Sequence, residues 1–300
     1  MEPRVWPRIA VMGAGAVGCY YGGMLARAGA PVTLIGRTPH VEAINRNGLL
    51  IETADSQWQT PVAASADVAA VGEADVVLFC VKNRDTEDAA RQMAPHLKPG
   101  AIVLSLQNGV DNAERIRAAT GIAALPAVIY VAVAMAGPGH VRHSGRGDLI
   151  VENEEFAPMF IAANIPCAVS ANIKGELWAK LILNCAYNPI SALTRAQYER
   201  ILGNAWTRDL MFLAVEEAVA VARAAGVRLP SANMVEDAVR LGEAMGKATS
   251  STAQDLARGK RTEIDAFNGY VARRGAELGV PTPVNRTLYA LVKLLEETVS

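Results

Sequence analysis

Hydrophobic and polar positions follow two rhythms along this chain, and the change falls near residue 170. Before it, strand-like apolar runs over residues 8–12, 31–36, 75–81 and 101–106 alternate with segments of helical period. Runs without alternation suit strands buried on both faces, so these predict a parallel sheet covered by helices on each side. Residues 128–136 and 141–151 flank Gly137-Pro138-Gly139 and predict a hairpin, and residues 166–169 predict a last short strand. From about Asn172 the period is helical throughout, over residues 176–187, 206–225, 232–245, 264–278 and 286–299. The pattern therefore predicts an α/β domain over residues 1–170 and an all-helical domain over residues 171–300.

The first strand runs directly into Gly13-Ala14-Gly15-Ala16-Val17-Gly18, with a helical pattern starting near Ala16. In a dinucleotide-binding βαβ unit each glycine of such a loop has its own duty. Gly13 makes the tight turn, Gly15 lets backbone approach a pyrophosphate, and Gly18 lets helix pack on strand. The phosphates would sit on the helix N-terminus, where unpaired N–H groups and the macrodipole favour negative charge. A tight strand-to-helix turn without a ligand would use the same glycines. The context favours the cofactor, because the loop follows one strand and precedes a second that completes the βαβ unit.

The end of that second strand bears on which nucleotide is bound. NAD sites usually place an acid about 20 residues after the glycines, on the ribose 2′-hydroxyl. Here the chain reads Ile35-Gly36-Arg37-Thr38, with a guanidinium and no carboxylate. A carboxylate would repel a 2′-phosphate, whereas Arg37 can bond it bidentately, so NADP is the expected cofactor.

Composition narrows the classes further. Lys and Arg number 29 against 30 for Asp and Glu, so no net field recruits nucleic acid or an anionic membrane surface. The start, MEPRVWP, lacks the apolar region of a signal peptide, and the longest apolar stretch, residues 125–137, is too short to span a bilayer and contains Pro126. A soluble protein of the cytoplasm is expected. Cys19, Cys80, Cys167 and Cys185 are widely spaced, without CxxC or a His at metal spacing, and read as reduced, buried thiols with no metal site.

Open parallel sheets bind ligands beyond the carboxyl ends of their strands. Lys82 follows one predicted strand there, and Gln107-Asn108-Gly109 another, although Asn108-Gly109 alone would also suit a turn and helix start. In the helical half, Lys180, Asn184 and Asn188 stand four apart in a segment apolar almost everywhere else. Steps of four advance about 40° around a helix, so the three share a face. A polar stripe on a buried helix needs partners, which a polar substrate or the neighbouring domain would supply. A third cluster runs Ser250-Ser251-Thr252 and then Thr262-Glu263-Ile264-Asp265. Thr262 and Asp265 fit a helix capping box, which leaves Glu263, Asn268 and Gly269 unexplained.

Taken in order, the GAGAVG loop, Val81-Lys82, Leu106-Gln-Asn-Gly109, Gly137-Pro-Gly139 with His143 and Gly145, the Lys180/Asn184/Asn188 helix and Thr262–Asp265 closely resemble the ketopantoate reductases (2-dehydropantoate 2-reductases). The likeness covers nearly the whole chain. It implies an α/β Rossmann-type NADP-binding domain followed by an all-α substrate domain like the C-terminal domain of 6-phosphogluconate dehydrogenase, with NADPH and an α-keto acid meeting in the cleft. It implies Lys180 as proton donor, Glu263 as the acid near lysine and cofactor, and Asn108 as the amide between nicotinamide and substrate. Asn184 and Asn188 resemble substrate-binding amides, and Ser251 resembles the hydroxyl on the substrate carboxylate. The glycine loop, Arg37, Lys82 and the backbone at Ala134 would touch NADPH. A homodimer is compatible with the family. Tyr198 and Ala248 stand where some members have asparagines, which leaves the identity of the substrate more open than the type of reaction.

In the implied reaction, hydride addition to the keto carbon puts negative charge on its oxygen, which Lys180 stabilises and then protonates. Burial alone would lower the lysine pKa and a carboxylate would raise it. Two rival readings are a reductase of another branched 2-oxo acid and a nonenzymatic NADP-binding sensor. Nucleotide binding alone requires neither Lys180 nor Glu263.

Overall fold

The structure is a computed structural model that describes residues 5–299. Residues 1–4, part of the start read above as lacking an apolar leader, and Ser300 lie outside the described residues. The chain forms two compact units: one runs to Gln107 and again from Asp111 to Ile173, the other comprises Asn108–Val110 and everything from Lys174 onward. The division thus falls a few residues beyond position 170, and three residues expected in the first domain group with the second.

The first unit carries β1 (Ile9–Met12), β2 (Val32–Ile35), β3 (Leu49–Glu52), β4 (Gln57–Thr60), β5 (Ala63–Ser65), β6 (Val76–Phe79), β7 (Ile102–Ser105), β8 (Leu125–Gly137), β9 (His140–Val151) and β10 (Cys167–Val169). Its helices are α1 (Ala16–Arg27), α2 (Thr38–Asn47), α3 (Thr86–Met93), α4 (Asn112–Thr120) and α5 (Ala157–Ala162). Six strands pair in parallel in the order β5-β2-β1-β6-β7-β8, with β2 and β6 on opposite sides of β1. This is the doubly wound order, whose reversal beside the first strand opens a ligand crevice at the strands' carboxyl ends. Along β1 the side chains alternate between two apolar layers. Ile9 and Val11 join Leu34, Leu78 and Leu104 in one, and Ala10 and Met12 join Val77, Phe79 and Val103 in the other. Both faces are covered, which is why these strands read as continuous apolar runs.

The expected hairpin forms as an antiparallel β8–β9 pair, and β9 extends the sheet by pairing in parallel with β3 and β10. β3, β4 and β5 were not anticipated. β4 is a largely exposed Gln-Trp-Gln-Thr edge, and β5 is three small residues of weak strand preference.

The second unit contains α6 (Ile173–Thr194, whose first residue still belongs to the first unit), α7 (Tyr198–Gly203), α8 (Ala205–Ala224), α9 (Met234–Met245), α10 (Ser251–Ala257), α11 (Asn268–Leu278) and α12 (Pro283–Val299). The short helices α7 and α10 lacked a readable period. α6 is buried almost all round, with Leu181, Ile182, Cys185, Ala186 and Tyr187 in the core beside Met211, Val215 and Ala218 of α8. It also contains Pro189. A proline has no N–H for the carbonyl four residues back, here that of Cys185, and the Asn268 side-chain amide donates to that carbonyl at 3.2 Å. Asn268 also donates to Asn285 Oδ1 at 2.9 Å, and the Asn285 amide donates to Ala214 O at 3.0 Å and to Glu217 Oε2 at 2.8 Å. This network accounts for Asn268, which the sequence pattern left unexplained. A Cβ on Gly269 would meet the Tyr289 ring at 2.8 Å, so that glycine serves close packing.

Among the described residues no helix is long and apolar enough to cross a membrane. All four cysteines are free thiols, but only Cys19 and Cys185 are buried; Cys80 and Cys167 are partly exposed, in contrast to the expectation. Burial pushes the Cys19 thiol up to about 12 and that of Cys167 up to about 11, so neither forms a thiolate near neutrality.

Candidate active site

The glycine loop in the first unit can be tested residue by residue for a dinucleotide. Gly13 has φ +110°, and a Cβ there would lie 2.8 Å from Val81 N. A Cβ on Gly18 would lie 2.2 Å from the Gly13 carbonyl oxygen. The fold itself therefore demands both glycines. Gly15 differs: its backbone is extended, and a Cβ on it would enter open space. Packing gives no reason for glycine at this position, whereas close approach of a ligand does. Gly15 is also the N-cap of α1, which has no side-chain cap and no acid in its first turn, as suits an anion at the helix N-terminus. The N–H groups of Gly13 and Ala14 donate to Ile35 O at 3.0 and 2.8 Å, tying the loop to the end of β2. These residues fit a dinucleotide.

Arg37 follows β2 as the exposed N-cap residue of α2. Lys82 is exposed beyond the end of β6, at the start of a short 3₁₀ turn over Asn83–Asp85. Gln107 pins that loop: its buried amide donates to Val81 O at 3.0 Å and to Thr86 Oγ1 at 2.9 Å. Ala134 lies within β8, in register with Arg142 of β9.

The second unit assembles a separate constellation from three distant stretches of chain. Lys180 Nζ donates to Asn108 Oδ1 at 2.8 Å, and Asn108 Nδ2 donates to Glu263 Oε2 at 3.0 Å. An amide suits the middle position because it presents an acceptor to the ammonium and a donor to the carboxylate. Asn108 is therefore more than the turn residue that its Asn-Gly sequence allowed.

The stripe on α6 continues unevenly. Asn184 is partly exposed like Lys180, but Asn188 is only 2% exposed. Its Oδ1 accepts from the Tyr198 hydroxyl at 3.5 Å, and its backbone carbonyl accepts from Ser250 Oγ at 3.2 Å. Tyr198 stacks on Tyr187 with ring centroids 4.3 Å apart, and its backbone N–H donates to Ala248 O at 3.0 Å. The two positions that depart from some family members are thus joined to each other. Burial raises the pKa of both phenols, that of Tyr187 to about 12, so both stay neutral donors. Ser250 is the buried N-cap of α10, its Oγ accepting from Ala253 N at 3.1 Å, and Ser251 beside it is exposed.

The expected Thr262–Asp265 capping box does not form. Thr262 donates through its N–H and its hydroxyl to Glu296 Oε1, at 2.7 and 2.5 Å. Asp265 instead accepts from the Tyr289 hydroxyl at 2.6 Å and pairs with Lys293 at 3.1 Å. Desolvation pushes the Asp265 carboxyl up, but these two donors outweigh it and hold the group below the ordinary aspartate value. The partners lie on α12, too far along the chain for a local pattern to reveal.

Comparison with known proteins finds relatives for both halves of the chain. The family ketopantoate reductase PanE/ApbA matches residues 9–155, and ketopantoate reductase PanE/ApbA C terminal matches residues 172–296. The 2-dehydropantoate 2-reductase of Pyrococcus horikoshii is 34% identical over 298 residues, covering 96% of this chain and 97% of the relative. The crystal structure of a PanE/ApbA family ketopantoate reductase from Ralstonia eutropha JMP134 is similar with a TM-score of 0.93 at 53% identity, covering 97% of this chain and 99% of that one. The 2-dehydropantoate 2-reductase structure from Geobacter metallireducens GS-15 gives 0.89 at 29% identity, covering 96% and 99%. With both halves matched, and relatives alike over almost their full length, the chain belongs to the ketopantoate reductase family.

Proposed function

We propose that this protein reduces ketopantoate to pantoate with NADPH, and that Lys180 supplies the proton. The observation that supports this most is the Lys180–Asn108–Glu263 chain of hydrogen bonds. Reduction of a ketone places negative charge on its oxygen before a proton arrives. The Lys180 ammonium stabilises that charge and then protonates it. Asn108 Oδ1 accepts a hydrogen bond from one of the ammonium's N–H groups and so limits where the others point. Glu263 holds the far end of the amide, which keeps the amide oxygen toward the lysine. Asn184 and Ser251 bind polar groups of the acid, and Asn188 supports the stripe from beneath.

Bound NADPH supplies the hydride for the keto carbon. The loop Gly13, Ala14, Gly15, Ala16, Val17 and Gly18 would receive its diphosphate at the N-terminus of α1, with Gly13, Ala14 and Gly18 shaping the turn. Arg37 would hold its 2′-phosphate, and Lys82 and the Ala134 backbone further parts. The direct assay is loss of NADPH absorbance on adding ketopantoate, compared with a panel of other 2-oxo acids. No oxidation with any of them would overturn the proposal in favour of a nonenzymatic nucleotide-binding role.

Arg37→Ala should weaken NADPH binding selectively. A charge-assisted bond to the 2′-phosphate is worth ~1.5–3 kcal/mol, or about one to two decades in affinity. Titrations with NADPH and NADH are expected to show the first weakened and the second nearly unchanged. Equal effects on both would remove Arg37 as the selector.

One observation favours a broader substrate range. The Tyr198 hydroxyl has its proton directed at Asn188 Oδ1, 3.5 Å away, and Ala248 offers no side-chain hydrogen bond, so this pair brings fewer polar groups to a hydroxyl on the substrate than two asparagines would. A pocket without such a bond discriminates by only about 10–200-fold per methylene, whereas one built to bond a hydroxyl reaches ~10⁴ or more. The kcat/KM ratio of ketopantoate over ketoisovalerate is accordingly expected in the lower range, rising in Ala248→Asn. A native ratio above ~10⁴, unchanged by the substitution, would show that other residues read the hydroxyl.

A further inference from the structure

Glu296, on the last helix, is a carboxylate only 5% exposed, and the proposed reaction gives it no role. Burying a carboxylate is costly unless its oxygens are satisfied, and an apolar side chain of similar volume is often at least as stable in such a place. Both of its oxygens are occupied. Oε1 accepts the N–H and the hydroxyl of Thr262, and Oε2 pairs with Lys293 Nζ at 2.8 Å. Lys293 also reaches Asp265 Oδ2 at 3.1 Å, and Tyr289 reaches Asp265 Oδ1 at 2.6 Å. Tyr289, Lys293 and Glu296 stand four and then three residues apart, which puts them on one face of α12.

That face grips the positions immediately before and two after Glu263. Residues 260–263 belong to neither helix nor strand, so no regular ladder fixes their backbone. Clamping Thr262 and Asp265 fixes the turn, and with it the direction from which Glu263 meets the Asn108 amide at 3.0 Å. We infer that Glu296 is a positioning residue for the reaction, holding the Thr262 turn so that Glu263 keeps Asn108 directed at Lys180. The inference rests on the reading that the Lys180–Asn108–Glu263 chain carries the chemistry.

The test is a double-mutant cycle on kcat in the full-length enzyme, using Glu296→Ala, Glu263→Gln and the pair. Glu296→Ala is expected to lower kcat by about tenfold or more while leaving the Kd for NADPH nearly unchanged. On the Glu263→Gln background the same substitution should cost almost nothing further, because its effect passes through Glu263. Thr262→Val and Glu296→Gln, which preserve side-chain shape, should lower kcat in the same direction by less, and they replace Glu296→Ala in the cycle if that variant does not fold. Multiplying effects in the double mutant would overturn the inference while leaving the site intact, since a merely structural role is insensitive to the Glu263 background. Normal turnover by Glu263→Gln alone would instead overturn the reading of the site, and the inference with it.

Discussion

A Lys180→Ala enzyme is expected to bind NADPH almost normally and to lose on the order of 10²-fold or more in kcat. In the proposed mechanism the lysine acts on charge that is absent from the bound ketone and present in the transition state, so its removal should fall on kcat rather than on cofactor affinity. The glycine loop that would hold the cofactor belongs to the other unit of the chain, which is a further reason for NADPH affinity to survive. Truncation also leaves Asn108 Oδ1 without the donor it now has at 2.8 Å. Steady-state kinetics with saturating NADPH, beside a fluorescence titration of the cofactor, separate the two quantities. Near-normal turnover with every 2-oxo acid would rule out Lys180 as the proton donor.

The second large effect is expected from paired substitutions in the glycine loop. In Gly18→Ala the new methyl would sit 2.2 Å from the Gly13 carbonyl oxygen and 2.8 Å from Val11 Cγ1. The first of these atoms is backbone and cannot turn away, so the loop or α1 must shift. Such overpacking typically costs ~1–3 kcal/mol of stability, and the distorted loop should lose NADPH as well. In Gly15→Ala the methyl meets nothing within 4 Å, and the extended backbone accepts any residue. Its melting temperature should therefore match that of the native protein, while NADPH affinity falls by roughly one to two decades, the equivalent of a clash of about 1–3 kcal/mol in the complex. Thermal melts and cofactor titrations on both variants check this. Undiminished binding by Gly15→Ala would mean that no ligand approaches the loop there.

The parts of this fold that the sequence made legible are those governed by neighbours within about one helical turn or one strand. Strands buried on both faces read as apolar runs, and the stripe Lys180, Asn184, Asn188 followed from helical period alone. The glycine loop was legible because backbone demands at Gly13 and Gly18 leave few alternatives. What could not be read depended on partners far along the chain. Thr262 and Asp265 have the spacing of a capping box, yet each is bonded to α12. Glu296 resembles any charge on an amphipathic helix until Thr262 is seen against it. The stripe also gave no sign that Asn188 would be buried under Tyr198 while Asn184 stayed partly exposed. That Asn108, Lys180 and Glu263 lie together in one chain of hydrogen bonds was accessible only through resemblance, since no spacing rule joins them.

The proline in α6 constrains how this sequence can diverge. Asn268 stands in for the peptide N–H that Pro189 lacks, so the two positions share one duty toward the Cys185 carbonyl. Losing the asparagine first strands that carbonyl in the core, at a cost of about 1–3 kcal/mol. Replacing the proline first restores a donor and makes the asparagine's bond to Cys185 redundant, leaving only its bond to Asn285 to replace. Descent along one order crosses a deep trough in stability and along the other a much shallower one, so lineages that abandon this pair should have released the proline before the asparagine.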